Sequence, residues 1–149
     1  TIAARLPGDT VSQGDLALVA RLAGVGGAHE EVAGLTLLAE WRRPGLRPPK
    51  DRDFALGLGP VVVTLDERGL DDLEAIVRVD GEERLRAPFE RFDWEAAREL
   101  AAGGTKLVPG DLLAGPPLAA VDVPPGSEVE IDVPAIGVLA QSVEPEFEL

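Results

Sequence analysis

The sequence predicts a single, mainly β domain with one or two short helices. The chain has 149 residues, 45% of them hydrophobic, which is enough for one domain with its own core and too little for two. Stretches of alternating apolar and polar residues, typical of half-buried strands, recur along the chain. The 17 glycines and 13 prolines fall between these stretches as turn residues. We therefore expect one domain over residues 1–149, with 144–149 as an acidic tail.

The first half of the chain predicts two strands and a short β-branched run. Residues 13–22 alternate with a period of two, so one face carries Leu16, Leu18, Ala20 and Leu22 and the other carries Gln13, Asp15, Ala17, Val19 and Arg21. After the glycine-rich stretch 24–27 we expect one helical turn at 28–32. A second strand over 34–41 then places Thr36, Leu38 and Glu40 on one side. Residues 61–64 are the β-branched run.

The second half predicts a hairpin, a helix and three short strands. Residues 73–79 and 83–87 flank Asp80-Gly81, a dipeptide that favours a type I′ hairpin turn. Asp93 can cap a helix over 94–102, with Gly103 as a left-handed stop. The three strands are expected at 112–114, 129–133 and 138–143, separated by turns rich in proline and glycine.

Charge and composition exclude several classes of function. The chain has 14 basic and 27 acidic residues, a net charge of −13, which repels phosphate backbones and anionic lipids. We therefore expect neither a nucleic-acid nor a membrane partner. With no cysteine and one histidine, His29, neither a thiolate metal site nor a cage of several histidines can form. The sequence also shows no apolar stretch of membrane-spanning length and no signal peptide, so the cytoplasm is the expected compartment.

Five segments of the chain, taken in order, resemble segments of a known family. They are residues 13–19, 32–40, 50–60, 107–111 and 125–130. The first four resemble, in order, four elements of the fumarylacetoacetate hydrolase family: the Glu-x-Glu-Leu strand, the Gly-Tyr-Thr strand that ends in Asn-Asp, the Lys-x-x-Asp element before Leu-Gly-Pro, and the Pro-Gly-Asp turn that Thr-Gly-Thr-Pro follows. Residues 136–143 are similar to its closing strand. The resemblance spans roughly 7–143 and implies mixed sheets wrapped into a barrel-like roll, assembled as a homodimer.

The resemblance also implies a class of chemistry. Members of the family are metal-dependent enzymes that act on small 2-oxo or β-diketo acids by isomerisation, decarboxylation or C–C bond hydrolysis. A hard cation such as Mg²⁺ or Mn²⁺ prefers oxygen ligands and stabilises the enolate that forms when a bond beside a carbonyl breaks. We therefore expect such a cation and a small oxo-acid substrate.

The resemblance assigns roles to five residues. The two family glutamates fall on Gln13 and Asp15 and the family aspartate falls on Glu40, so the implied metal ligands are Asp15, Glu40 and Gln13. Lys50 and Asp53 match the Lys-x-x-Asp element. Lys50 is the implied catalytic residue, facing the developing negative charge of the substrate, and Lys50 and Asp53 are the implied substrate-binding residues.

Departures from the family pattern support an alternative. All three ligand positions differ from the family residue, and Thr-Gly-Thr-Pro is replaced by Ala114-Gly115-Pro116-Pro117. His29 does not match the lid histidine with which hydrolytic members activate water, so we assign it no catalytic role and expect enolate chemistry to be easier than hydrolysis. The alternative is a catalytically degenerate member that binds no metal and serves as a binding or structural subunit.

Overall fold

The structure is a computed structural model that describes residues 3–5, 10–11, 14–66 and 72–146, with side chains described from residue 14 onward. These residues form twelve strands and one helix, which confirms the mainly β prediction. The strands are β1 (Ala3–Arg5), β2 (Thr10–Val11), β3 (Leu16–Gly26), β4 (Val32–Arg42), β5 (Ala55–Leu58), β6 (Val63–Thr64), β7 (Glu74–Val79), β8 (Glu82–Pro88), β9 (Leu112–Ala114), β10 (Val121–Val123), β11 (Glu128–Val133) and β12 (Gly137–Val143), and the helix is α1 (Trp94–Ala102).

The strands form two sheets. One has the order β1-β5-β4-β3-β10, with β6 paired to β4 and β9 paired to β3, and the other has the order β2-β12-β11-β7-β8. The pairs β1–β5 and β2–β12 are parallel and the remaining pairs are antiparallel, so both sheets are mixed, as predicted. Among the described residues, no helix is long and apolar enough to cross a membrane.

The long hairpin of β3 and β4 gives the first sheet two different faces. Leu18 pairs with Trp41, and both side chains point into the core shared with the second sheet. Val19 pairs with Glu40 in the next register position, so these side chains lie on the opposite face. This is the alternation that the sequence predicted. It places Glu40 away from the apolar core although the residue is 8% exposed.

A polar contact connects the two sheets inside the core. The indole Nε1 of Trp41 donates a hydrogen bond of 2.7 Å to Oε1 of Gln141 on β12. Both residues are at most 1% exposed. Because a buried indole N–H needs an acceptor, this bond fixes the position of β4 against β12.

The loop between β3 and β4 contradicts one prediction. Residues 28–32 do not form a helical turn. Strand pairing continues to Gly26 on β3 and begins again at Val32 on β4. Residues 27–31 therefore close a hairpin, in which the Gly27 N–H donates to the Glu31 carbonyl at 2.9 Å. In a helix an N–H donates to the carbonyl four residues earlier, so this bond runs in the opposite direction, and Val32 already pairs with Gly26.

Helix α1 begins as predicted and ends differently. Asp93 accepts a hydrogen bond of 3.0 Å from the Ala96 N–H, which is the expected N-cap. Gly103 is not left-handed: its φ is −60°, and its N–H donates to the Leu100 carbonyl. This bond tightens the last turn, and the chain reverses at Gly104, where φ is +74°.

Strands β1, β2, β5 and β10 were not predicted, because runs of four residues or fewer are too short for alternation to distinguish a strand from a loop. The predicted acidic tail falls partly on 147–149, which lie outside the described residues.

The hairpin turn at Asp80-Gly81 confirms the sequence prediction. The two φ values are +51° and +79°, as a type I′ turn requires. Asp80 also contacts β11, since its Oδ1 accepts the Glu128 N–H at 2.9 Å and its own N–H donates to the Glu128 carbonyl at 2.8 Å. The hydrogen bonds from Glu128 and Ser127 lower the pKa of the Asp80 carboxyl.

We predict that Asp80→Asn lowers stability in a pH-dependent way. Because the folded-state pKa lies below the ordinary value of 3.8, the ionised carboxylate stabilises the fold above about pH 4, and this contribution is lost as pH falls through the folded-state pKa. The variant should therefore have a lower thermal midpoint than the wild type at pH 7. The two midpoints should converge as the pH falls through the folded-state pKa. A difference that stays the same from pH 7 to the acid end of the titration would contradict the role of this charge.

We predict that Gln141→Leu lowers the free energy of unfolding by about 1–3 kcal/mol, because the buried Trp41 N–H loses its acceptor. Urea denaturation measures the change. Trp41→Phe combined with Gln141→Leu removes both partners, and the double variant should lose less than the sum of the single losses. Additive losses would show that the hydrogen bond contributes nothing.

Candidate functional site

The candidate site is built around the carboxylate of Glu40. Its Oε2 accepts a hydrogen bond of 2.6 Å from Nε of Arg21, and its Oε1 accepts one of 3.0 Å from Nε of Arg42. A third guanidinium, that of Arg52, lies 3.8 Å from Oε1 through its Nη1. We refer to Glu40, Arg21, Arg42 and Arg52 as the arginine cluster.

The β3–β4 pairing explains why two of these arginines meet Glu40. Arg42 follows Glu40 by two residues on the same strand, and Arg21 follows Val19, the cross-strand partner of Glu40, by two residues. All of them therefore point to the same face of the sheet. The side chains of Arg21 and Glu40 are only 16% and 11% exposed, so this ion pair is largely screened from water.

Arg21 also contacts the segment that follows β9. Its Nη1 donates a hydrogen bond of 2.7 Å to the Gly115 carbonyl, and the Gly115 N–H donates to the Leu22 carbonyl at 2.8 Å. Gly115 lies in the stretch 114–117, which the sequence resemblance matches to the family's Thr-Gly-Thr-Pro. The structure therefore brings this stretch next to Glu40, with the Arg21 guanidinium between them.

The loop that contains Lys50 and Asp53 approaches Glu40 through a third residue, Arg52. Lys50 Nζ donates to Asp53 Oδ2 at 2.8 Å, and the Lys50 side chain is 75% exposed. The hydrogen bond and the charge of Asp53 raise the pKa of Lys50, and Lys50 lowers the pKa of Asp53. Arg52 holds Asp51 through two hydrogen bonds of 3.2 and 3.1 Å and is the residue by which this loop reaches Glu40.

Asp15 lies apart from Glu40. It is exposed and lines a shallow hollow of about 320 Å³ together with Pro44 and Asp122. Val19, the partner of Glu40, comes four residues after Asp15. Leu16, the first residue of β3, lies three residues before Val19, which is about 10 Å at about 3.3 Å per residue, and Asp15 precedes Leu16. Gln13, the third implied ligand, lies outside the described residues.

The described residues do not fit a divalent metal at Glu40. A hard cation takes oxygen ligands, whereas both Glu40 oxygens accept N–H groups of arginine. The guanidiniums also carry the same sign of charge as the cation. Residues 14–66 and 72–146 contain no group of three or more acidic or histidine side chains able to hold a metal ion. The assignment of Asp15, Glu40 and Gln13 as ligands stays a prediction.

Two further hollows lie elsewhere on the described surface. One of about 510 Å³ lies between the tip of the β3–β4 hairpin, the end of α1 and the Pro109 turn. The other, of about 280 Å³, is lined by aromatic residues that include Phe89 and Trp94. Asp111, which follows the Pro109 turn, accepts the Val108 N–H at 2.8 Å, as is typical of an aspartate in a turn. Neither hollow includes Glu40, Lys50 or Asp53 in its lining.

Comparison with known families agrees with this architecture. The family described as fumarylacetoacetate (FAA) hydrolase C-terminal matches residues 18–144. The chain belongs to the fumarylacetoacetate hydrolase family. This confirms the resemblance seen in the sequence. Comparison with curated protein sequences finds no match.

Solved structures of the family share the fold at low sequence identity. A 5-carboxymethyl-2-hydroxymuconate delta-isomerase from Mycobacterium smegmatis has a TM-score of 0.80 and 22% identity, over 98% of this chain and 67% of its own. A fumarylpyruvate hydrolase from Pseudomonas aeruginosa, in complex with Mn²⁺ and pyruvate, has a TM-score of 0.78 and 19% identity, over 97% and 75%. A maleylpyruvate hydrolase from Sphingobium sp. SYK-6 has a TM-score of 0.74 and 19% identity, over 97% and 62%. The chain thus spans about two thirds of the length of these structures.

We predict that Glu40→Gln lowers the free energy of unfolding by about 1–3 kcal/mol, between the values for exposed and fully buried ion pairs. The loss arises because Arg21 would keep a largely buried charge without its carboxylate. Urea denaturation at pH 7 measures it. The matched control is Glu74→Gln, whose ion pair with Arg86 is about half exposed on each side. The control should change stability by less than about 0.5 kcal/mol, and equal losses would contradict the prediction.

Proposed function

We propose that this protein is a catalytically degenerate member of the family, a binding or structural subunit whose site contains the arginine cluster in place of a divalent metal. One observation carries the proposal: each Glu40 oxygen accepts an arginine N–H, at 2.6 Å from Arg21 and 3.0 Å from Arg42. Glu40 is the residue that the family resemblance places at a metal ligand.

The physical argument rests on charge. To bind a divalent cation, Glu40 would have to release Arg21 and Arg42, and their guanidiniums would stay beside a cation of the same sign. Arg21 has few alternative partners, because it is 16% exposed and its other contact is the neutral Gly115 carbonyl. Leaving such a charge unpaired costs several kcal/mol, which a weak metal site cannot offset.

The second candidate is a divalent-metal-dependent enzyme that acts on a small 2-oxo or β-diketo acid by isomerisation, decarboxylation or C–C bond hydrolysis. The Mn²⁺ and pyruvate complex of the Pseudomonas aeruginosa relative favours it. In this candidate Asp15, Glu40 and Gln13 would hold Mg²⁺ or Mn²⁺, and Lys50, with Asp53, would face the substrate. It requires Glu40 to leave its two arginines and to meet Asp15. A homodimer in the cytoplasm is part of both candidates.

A Mn²⁺ titration separates the two candidates. We expect the electron paramagnetic resonance signal of free Mn²⁺ to stay unchanged when the protein is added, and the thermal midpoint to stay constant up to millimolar Mn²⁺ or Mg²⁺. A bound metal would instead raise the midpoint, by an amount equivalent to about 2.7 kcal/mol at one hundred times the dissociation constant. Saturable Mn²⁺ uptake that Glu40→Gln abolishes and Glu74→Gln preserves would overturn the proposal and support the enzyme.

A further inference from the structure

We propose that a hollow at the tip of the β3–β4 hairpin binds a free α-amino acid with an apolar side chain. The hollow, of about 510 Å³, lies between the hairpin loop, the last turn of α1 and the segment that joins α1 to β9, and we call it the tip hollow. Gly26 in its lining lies seven residues after Val19, the cross-strand partner of Glu40, which is about 23 Å at about 3.3 Å per residue. The tip hollow is therefore separate from the arginine cluster, and a ligand there goes beyond the proposed function and does not depend on it.

Two groups of opposite charge in the tip hollow are available to a ligand. Glu30 lies on the hairpin loop and Lys106 lies four residues after the end of α1, and both line the hollow. Across residues 14–66 and 72–146, neither side chain makes a hydrogen bond or an ion pair, with the other or with any further group. A molecule that carries one ammonium and one carboxylate group can pair with both. We therefore assign the ammonium group of the ligand to Glu30 and its carboxylate to Lys106.

Arg98 supplies further donors for the carboxylate end of the ligand. It lines the tip hollow at 19% exposure, and its Nε donates a hydrogen bond of 3.1 Å to Oε2 of Glu95. Its two terminal nitrogens make no hydrogen bond to the described part of the chain. The hydrogen bonds from the Val32 N–H and from Arg98 lower the pKa of the Glu95 carboxyl, so Glu95 is ionised at neutral pH and holds the guanidinium. Arg98 can thus donate to a carboxylate from a fixed side chain.

The other two carboxylates that line the tip hollow already contact the backbone. Glu31 accepts the His29 N–H at 2.7 Å, and Asp111 accepts the Val108 N–H at 2.8 Å. Glu30 has no such contact within the described residues. The negative charges of all three side chains attract an ammonium group and oppose a simple carboxylic acid. The lining therefore favours an amino acid over an acid that carries no amine.

The backbone at Glu30 is strained. Among the described residues, Glu30 and Asp80 are the two non-glycine residues with a positive φ, at +56° and +51°. Aspartate adopts this conformation more readily than glutamate does, and Asp80 gains a hydrogen bond from the Glu128 N–H. Glu30 gains no comparable side-chain contact from the described residues. Because strain of this kind persists at ligand sites, it supports a ligand-binding role for Glu30.

The remaining lining selects an apolar side chain. Leu107, Val108 and Leu113 line the tip hollow, and Val108 is 50% exposed although it is a large hydrophobic residue. An apolar group in contact with these residues removes their surface from water, which favours binding. The volume lies in the range of small-molecule sites, about 300–1,000 Å³.

Hydrogen bonds hold the walls of the tip hollow in place. The Gly26 N–H donates to the Asp111 carbonyl at 2.8 Å, and the Gly110 N–H donates to the Gly26 carbonyl at 2.9 Å. The Val32 N–H donates to Oε1 of Glu95 at 3.1 Å and so ties the hairpin to α1. The hollow is therefore formed before a ligand arrives, which lowers the entropic cost of binding.

The experiment is a titration of the full chain with L-leucine, followed by amide chemical shifts. We expect saturable shifts for the residues that line the tip hollow. Two analogues with the same branched apolar end test the charged ends of the ligand: 4-methylpentanoate lacks the ammonium group, and 3-methylbutylamine lacks the carboxylate. Each should bind at least about tenfold more weakly than L-leucine, since each loses charge-assisted hydrogen bonds.

Two variants test the roles of Glu30 and Lys106. Glu30→Gln and Lys106→Gln should each weaken L-leucine binding about tenfold. Both positions are exposed, so neither variant should unfold the chain. The matched controls are Glu99→Gln, an exposed carboxylate of α1 outside the lining, and Arg47→Gln, an exposed cation of the loop between β4 and β5. Each control should change the affinity by less than about twofold.

The inference is overturned if L-leucine gives no saturable shift up to about 10 mM, or if the saturable shifts lie outside the tip hollow. It is also overturned if either analogue binds as tightly as L-leucine, or if a control variant weakens binding as much as its matched variant. The Mn²⁺ titration tests the proposed function at Glu40, so the two proposals can fail separately.

Discussion

The carboxylate of Glu40 is the group on which the candidate site depends. It lies on the outer face of the β3–β4 hairpin, almost fully buried, and divides its two oxygens between Arg21 and Arg42. Arg21 in turn holds the Gly115 carbonyl, so one ion pair joins β3, β4 and the segment after β9. In a mostly buried position a carboxylate needs such partners, and the partners decide whether it can also serve a cation.

Much of the fold could be predicted because long strands and specific turns carry local signals. The alternation from Leu16 to Leu22 separates a core face from the face that bears Arg21, and Asp80-Gly81 fixes a hairpin through its two positive φ values. Short strands such as Ala55–Leu58 carry no such signal, because their position depends on pairing with β4. The same pairing turned the expected helical turn at 28–32 into a hairpin loop.

The site could be predicted only in part. The sequence, through its family resemblance, indicated Glu40 and the loop of Lys50, and the structure brings the two together. The sequence did not indicate which cation of that loop approaches Glu40, which is Arg52 and not Lys50. Nor did it indicate Arg21, although the alternation of β3 places this residue on the same face as Asp15 and Glu40's partner Val19. A cross-strand ion pair depends on register, and single-strand periodicity does not fix register.

We propose that arginine stands at Glu40 where the family resemblance places a metal. The most direct measurement is a crystal structure from crystals soaked in manganese chloride, with anomalous diffraction collected near the manganese edge. We expect the Arg21 and Arg42 guanidiniums to remain on the two Glu40 oxygens, with no anomalous peak within bonding distance of these oxygens. A manganese peak bonded to Glu40, with Arg21 displaced and Asp15 drawn in as a second ligand, would contradict the proposal.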